Sequence, residues 1–333
     1  VRPSAAILGV EGATLNPWER GFLREVNPWG FILFARNVET PDQLRRLTGA
    51  MRDLLGRDAP ILIDQEGGRV QRLRPPFWRR YLPALEQMES AADPLRAQWV
   101  RNRLIAAELH DVGVDVNCAP LADLVEPETH PVLRNRLYGS EVDAVVQAAR
   151  ACADALLAGG VLPVLKHIPG YGRATVDSHL ELPHVRADRE ALAARDFAPF
   201  RALADLPLGM TAHIVFDSVD PARPCTTSPA AIRLIREEIG FEGLLMTDDI
   251  GMEALSGSMA DRTRESLAAG VDVVLHCKGD REGLEDVASA LRPLSDAAMV
   301  RADRALAARR PPDAADLGAL VEELADLVPD GAA

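Results

Sequence analysis

At 333 residues and 47% hydrophobic side chains, the chain can bury one large core or two ordinary ones. Its net charge of −13 argues against nucleic acid and anionic membrane as partners, and no uncharged run approaches the roughly 18 residues of a membrane span. The four cysteines, Cys118, Cys152, Cys225 and Cys277, form no CxxC pair, which fits reduced thiols better than a disulfide framework or a zinc site. No positively charged segment with a small-residue cleavage site opens the sequence, so a secretory signal is not expected and a cytoplasmic location is. Among 37 basic residues only Lys166 and Lys278 are lysine, a bias towards arginine that makes each lysine worth attention.

Short apolar runs predict strands at 5–10, 30–34, 60–64, 114–118, 161–166, 208–212, 243–247 and 271–275. Helical periodicity lies between them. Thr40-Pro41-Asp42-Gln43 offers an N-cap threonine, a first-turn proline and a glutamine placed for a capping box. Segments 99–111, 142–157 and 188–203 read as further helices. Ser228-Pro229 opens another, with Ile232, Ile235 and Ile239 on one face and Gly240 as its stop. Segment 253–269 follows the seventh strand as a helix, and the tail from Ser295 holds two amphipathic segments expected to pack outside, from about residue 296.

Eight strands alternating with helices imply parallel pairing, in a closed (β/α)8 barrel or an open doubly wound sheet. The phosphate-binding GxGxxG is missing after the first strand, where Gly9-Val10-Glu11-Gly12 stands, so a single-domain TIM-type barrel is favoured. No internal repeat is evident, and no second domain is needed. Polar residues close every strand: Glu11, Arg36-Asn37, Asp64, Asn117, Lys166-His167, His213, Asp248 and His276. One such residue is usually a loop cap, but eight ends in a row point to the barrel face where active sites are built.

Four places in the chain carry the chemistry. Asp248 and Asp249 follow an apolar strand, and alternation lets only one face the barrel axis; one is a candidate nucleophile, although both would also suit a helix start. The stretch from Lys166 to His179 runs from a strand end through Gly170 and Gly172 into a long loop. There Asp177 and His179, two apart, share one side of an extended chain, so the carboxylate can orient the imidazole for proton transfer near neutral pH; a surface turn is the plainer alternative. The glycines suggest that the pair enters the site when substrate binds. Asp64-Gln65-Glu66-Gly67-Gly68 continues to Arg72, and Asp64 and Arg72 either grip sugar hydroxyls or pair with each other. Arg136 either binds substrate or caps a helix.

Gly30 to Asn37, Asp64 to Arg72, Arg136 to Gly139, Lys166-His167, Asp177-Ser178-His179 with Leu182-Pro183, Thr211-Ala212-His213 and Thr247-Asp248-Asp249 occur in that order. This ordered set resembles the single-domain β-N-acetylglucosaminidases of glycoside hydrolase family 3, the type that serves bacterial peptidoglycan recycling. The resemblance implies that Asp248 is the nucleophile, His179 the acid/base on a flexible loop and Asp177 its orienting partner. It further implies that Asp64, Arg72, Arg136, Lys166 and His167 bind the N-acetylglucosamine unit, that no metal or organic cofactor takes part, and that a monomer acts on a small carbohydrate or muropeptide. Two positions depart from the family pattern: Tyr171 stands where a histidine is usual between the two glycines, and Arg134 where a small residue is usual.

Competing expectations remain. Another specificity within the family, such as a β-glucosidase, is opposed by the Asp177–His179 pair. Phosphorolysis is not, because a histidine admits phosphate where a carboxylate repels it. A metal-dependent hydrolase built on His167, His179, His213 and Asp248 lacks an HExxH segment. A barrel that binds muropeptides without turnover is the non-enzymatic alternative.

Overall fold

The computed structural model describes residues 2–178 and 180–328. Its barrel strands are β1 (Ser4–Gly9), β2 (Pro28–Leu33), β3 (Ile61–Ile63), β4 (Val116–Asn117), β5 (Leu162–Ile168), β6 (Leu208–Thr211), β7 (Leu244–Asp249) and β8 (Val273–His276). Each of the eight predicted runs overlaps one of them. Every strand pairs in parallel with its chain neighbours, and β8 closes the ring on β1 through Ala6–Val274, Ile7–Leu275 and Leu8–His276. Helices cover the outside, so the strands are buried on both faces; β2 and β5 are buried at every position. That is why they read as unbroken apolar runs rather than alternating ones.

The helix starts follow the expected cap chemistry, with instructive exceptions. Thr40 caps helix Pro41–Leu55 by accepting from the Gln43 N–H, but the Gln43 side chain accepts from Glu39 and donates to Ala13 and Asn37 carbonyls. The expected capping box is therefore half made, because the glutamine amide is spent joining neighbouring loops. Segment 188–203 splits into Arg189–Ala194 and Ala198–Ala202. Pro199, without an N–H, opens the second piece, and Asp196 between them binds Arg173 instead of extending the helix. The helix after β7 begins only at Met259, where Ser258 and Asp261 form a capping box. Ile239 is buried as expected, yet lies beyond helix Pro229–Glu237, with Gly240 in the left-handed region at φ +79°.

The amino-terminal end of the barrel is closed by ion pairs. Asp115, just before β4, accepts from the Ile61 N–H and pairs with Arg52 and Arg309. Asp272, just before β8, accepts from the Leu245 N–H and pairs with Arg236 and Arg301. Arg301 belongs to helix Asp296–Ala307, which, with helix Leu317–Leu327, lies against the outside of the barrel; Leu320 is buried there. No helix among the described residues is long and apolar enough to cross a membrane.

Candidate active site

A cavity of about 270 Å³ opens at the carboxyl ends of the strands. It lies at the small end of ligand pockets, sized for one compact polar molecule rather than a chain. Its lining includes Asp64, Arg72, Arg136, Lys166, His167, Asp177 and Asp248, which brings together seven of the eight predicted site residues. The eighth, His179, lies outside the described residues.

The β3 side of the cavity is built by a hairpin. Immediately after β3 the chain pairs Gln65–Gly67 with Val70–Gln71, turning at Gly67 (φ +102°) and Gly68 (φ +59°). A side chain at Gly67 would collide with the Arg101 guanidinium and the Leu82 carbonyl. Asn117 at the end of β4 clamps this hairpin by bonding both the N–H and the carbonyl of Gln65. The turn brings Arg72 back to Asp64, at 3.1 Å. It also aims Glu66 inward, where it takes a two-pronged bond from Arg136 (2.9 and 2.8 Å) and meets Lys166 Nζ at 2.7 Å. Lys166 Nζ reaches Asp64 at 3.1 Å as well.

This cluster holds three cations against two carboxylates, all five largely shielded from water. Burial alone would raise the Glu66 carboxyl, but Arg136 and Lys166 hold it well below the usual range. The same balance lowers Asp64, through Lys166 and Arg72. Conversely, burial opposes the charge on Lys166, and Glu66 and Asp64 more than restore it, so the ammonium is held above its ordinary value. The resulting floor is a set of charged donors and acceptors held in place by one another.

Lys166 and His167, joined by a cis peptide bond, both line the cavity. His167 Nδ1 lies 2.8 Å from Asp123 Oδ2. A buried carboxylate there requires the proton on Nδ1, which directs Nε2 away from Asp123. Asp123 also accepts from the backbone N–H of His167 and, at 2.7 Å, from that of Tyr171.

Asp248 ends β7. Among the described residues, its hydrogen bond comes from the Asp249 N–H to Oδ1, at 2.8 Å. Burial pushes its carboxyl up, but His167 and His213 beside it, and that N–H, bring it below the usual range, so it is ionised at neutral pH. Asp249 Oδ1 accepts from Gly251 and Cys277, while its carbonyl accepts from His213 Nε2 at 2.9 Å. Of the acidic pair, then, the second fastens loops and the first is left facing the cavity. Alternation does not fully separate them: the register with β8 slips between Met246 and Asp249, and both touch the cavity.

Several strand-end residues are fasteners rather than site groups. Asn37 bonds Phe34, Val10 and Gly12 backbone, Arg36 bonds the Val10 and Cys277 carbonyls, and exposed Glu11 accepts from Asn16. Both nitrogens of His213 are engaged, by Thr226 and the Asp249 carbonyl, which removes it from any metal-binding set; His167 Nδ1 is likewise committed. Arg136 does not cap a helix. Arg134 is exposed and bonds the Glu126 carbonyl. Glu66 and Asp123 were not singled out from the sequence, although they organise most of the predicted residues. Glu66 had a signal, two positions beyond Asp64 and beside the double glycine; Asp123, in Leu121-Ala122-Asp123-Leu124, had none.

Comparison with known proteins gives one consistent answer. Residues 13–307 match the glycosyl hydrolase family 3 N-terminal domain. A β-hexosaminidase of Alkalilimnicola ehrlichii is 39% identical over 309 residues, covering 89% of this chain and 87% of that protein. One from Pseudomonas aeruginosa is 35% identical over 294 residues, covering 86% of each. The crystal structure of NagZ from Neisseria gonorrhoeae in complex with N-trifluoroacetyl-D-glucosamine superposes with a TM-score of 0.87 at 28% identity, over 98% of this chain and 99% of that one.

Proposed function

This chain belongs to glycosyl hydrolase family 3, and from that premise we propose that it is a retaining exo-β-N-acetylglucosaminidase releasing terminal N-acetylglucosamine from muropeptide-type glycosides. The glycoside hydrolase activity, of β-hexosaminidase type, follows from its relatives; the stereochemical course and the aglycone are our reading. The observation that carries this reading is the cavity itself: an ionised, sparsely bonded Asp248 lines a space of about 270 Å³ together with Asp64, Arg72, Lys166 and Arg136, which Glu66 helps to hold from behind.

In this mechanism Asp64, Arg72, Arg136, Lys166 and His167 hold the hydroxyl and acetamido groups of one N-acetylglucosamine unit. Their pairing with one another and with Glu66 and Asp123 fixes them before substrate arrives, so little ordering remains to be done on binding. Asp248 attacks the anomeric carbon as the bond to the aglycone oxygen breaks, and His179, oriented by Asp177, gives that oxygen its proton. The glycosyl–Asp248 ester is then cleaved by water, from which the same imidazole removes a proton. A histidine in this role places no second negative charge beside the nucleophile. No metal or organic cofactor is needed for either step, and the protein works as a cytoplasmic monomer.

The test is turnover of an aryl N-acetyl-β-glucosaminide, with product anomer followed by NMR in phosphate and in a phosphate-free buffer. The β-anomer of N-acetylglucosamine as first product in both buffers supports the reading. Inverted product, N-acetylglucosamine 1-phosphate formation, or no turnover at all contradicts it.

A further inference from the structure

Ser178 stands between Asp177 and His179 in the chain, and its backbone is held from two directions. Its N–H donates to the phenol oxygen of Tyr171 at 3.0 Å, and its carbonyl accepts from the Ala254 N–H at 3.2 Å. Ala254 lies in the segment after β7, the strand that carries Asp248. Tyr171 follows β5, the strand that carries Lys166 and His167. Ser178 is thus the point where the loop is fastened to both sides of the cavity.

The anchor is itself rigid. Tyr171 is 8% exposed, its N–H donates to buried Asp123, and its ring sits 5.5 Å from that of His167. On either side, Gly170 takes φ +145°, and Gly172 lies so close to the Leu124 carbonyl that a β-carbon would come within 2.0 Å. The two glycines therefore have conformational reasons to be there: they seat the aromatic ring against the barrel. From this fixed base the carbonyl of Tyr171 accepts from the Ala174 N–H, and the phenol oxygen reaches further along the loop, to the residue seven positions on.

We propose that Tyr171 is a positioning residue for acid/base catalysis, its hydroxyl fixing the Ser178 backbone and with it Asp177, the orienting partner assigned to the acid/base. This rests on the assignment of His179 made above. A phenylalanine keeps the ring and its packing but offers no acceptor, leaving the Ser178 N–H, in a residue only 4% exposed, without its partner.

The experiment compares Tyr171→Phe with the unaltered protein on two N-acetyl-β-glucosaminides, one with a 2,4-dinitrophenyl and one with an alkyl leaving group. Backbone amide exchange of 174–178 is measured in parallel, without substrate. Proton donation matters only for the poor leaving group, so kcat/KM is expected to fall roughly tenfold or more on the alkyl glycoside and less than about threefold on the aryl one. Amides of 174–178 are expected to exchange faster while those of the barrel strands do not change. Equal losses on both substrates, or unaltered exchange in the loop, would overturn the proposal. Failure of the unaltered protein to cleave either glycoside is a different result; it overturns the proposed function, and this assignment with it.

Discussion

Both ends of the barrel bury carboxylates, and they treat them differently. At the amino-terminal end Asp115 and Asp272 each bind two arginines and a strand N–H, so that their oxygens are committed to the chain itself. At the carboxyl-terminal end Asp248, in the last two residues of β7, receives a bond from the next residue and is otherwise turned to the cavity. Saturation gives stability; a carboxylate that must bond to a substrate cannot be saturated beforehand. Asp64 and Glu66 fall between these extremes. They are paired with cations from three segments of the chain, yet Asp64 and those cations, Arg72, Arg136 and Lys166, still line the cavity and can be bridged by ligand hydroxyls.

Substitutions at the two ends should therefore separate turnover from stability. Asp248→Ala is expected to reduce kcat by at least about a thousandfold while leaving the melting transition nearly where it was. A large loss of stability would place Asp248 with the structural carboxylates. Asp272→Ala should behave oppositely: it leaves Arg236 and Arg301 facing one another, costing about 3–5 kcal/mol in chemical denaturation. Its kcat per folded molecule should stay within about twofold of the unaltered protein.

Glu66 offers a test through pH. Its folded carboxyl is held low by Arg136 and Lys166, so the stabilisation is fully present above the ordinary carboxylate value, near 4, and is lost only as pH falls through the lower folded value. The melting temperature of Glu66→Gln should accordingly lie below that of the unaltered protein by a constant margin from pH 8 to about pH 5, narrowing below about pH 4. A margin that changes around neutrality would mean that another group governs the cluster. The smallest effect is expected at Arg134, which is exposed and whose guanidinium donates to the Glu126 carbonyl. Arg134→Ser should alter kcat/KM by less than about twofold, and a larger change would bring that departure from the family pattern into substrate recognition.

The sequence made the barrel legible because parallel strands buried on both faces are apolar through most of their length, and here each of the eight carries an apolar run with its polar residues gathered towards the carboxyl end. It also exposed the residues that sit at strand ends by position, Asp64, Lys166, His167 and Asp248. What it concealed depends on three-dimensional direction. Glu66 faces inward only because the Gly67–Gly68 turn sets the hairpin register. Asp123 matters through Nδ1 of His167, 44 residues later, a contact with no local pattern. The reading of 188–203 as one helix failed because periodicity continues across Pro199, whereas the hydrogen-bond ladder cannot. Asp249 touches the cavity beside Asp248 because a register slip interrupts the alternation on which their separation was argued.

Incubation with a slowly turned-over fluorinated N-acetylglucosaminyl donor, followed by proteolysis and mass spectrometry, tests the nucleophile directly. One sugar attached per chain, on the carboxylate of Asp248, is the predicted result. A sugar found on Asp249 or Asp64, or a protein that consumes the donor through steady turnover without ever carrying a label, would contradict the account.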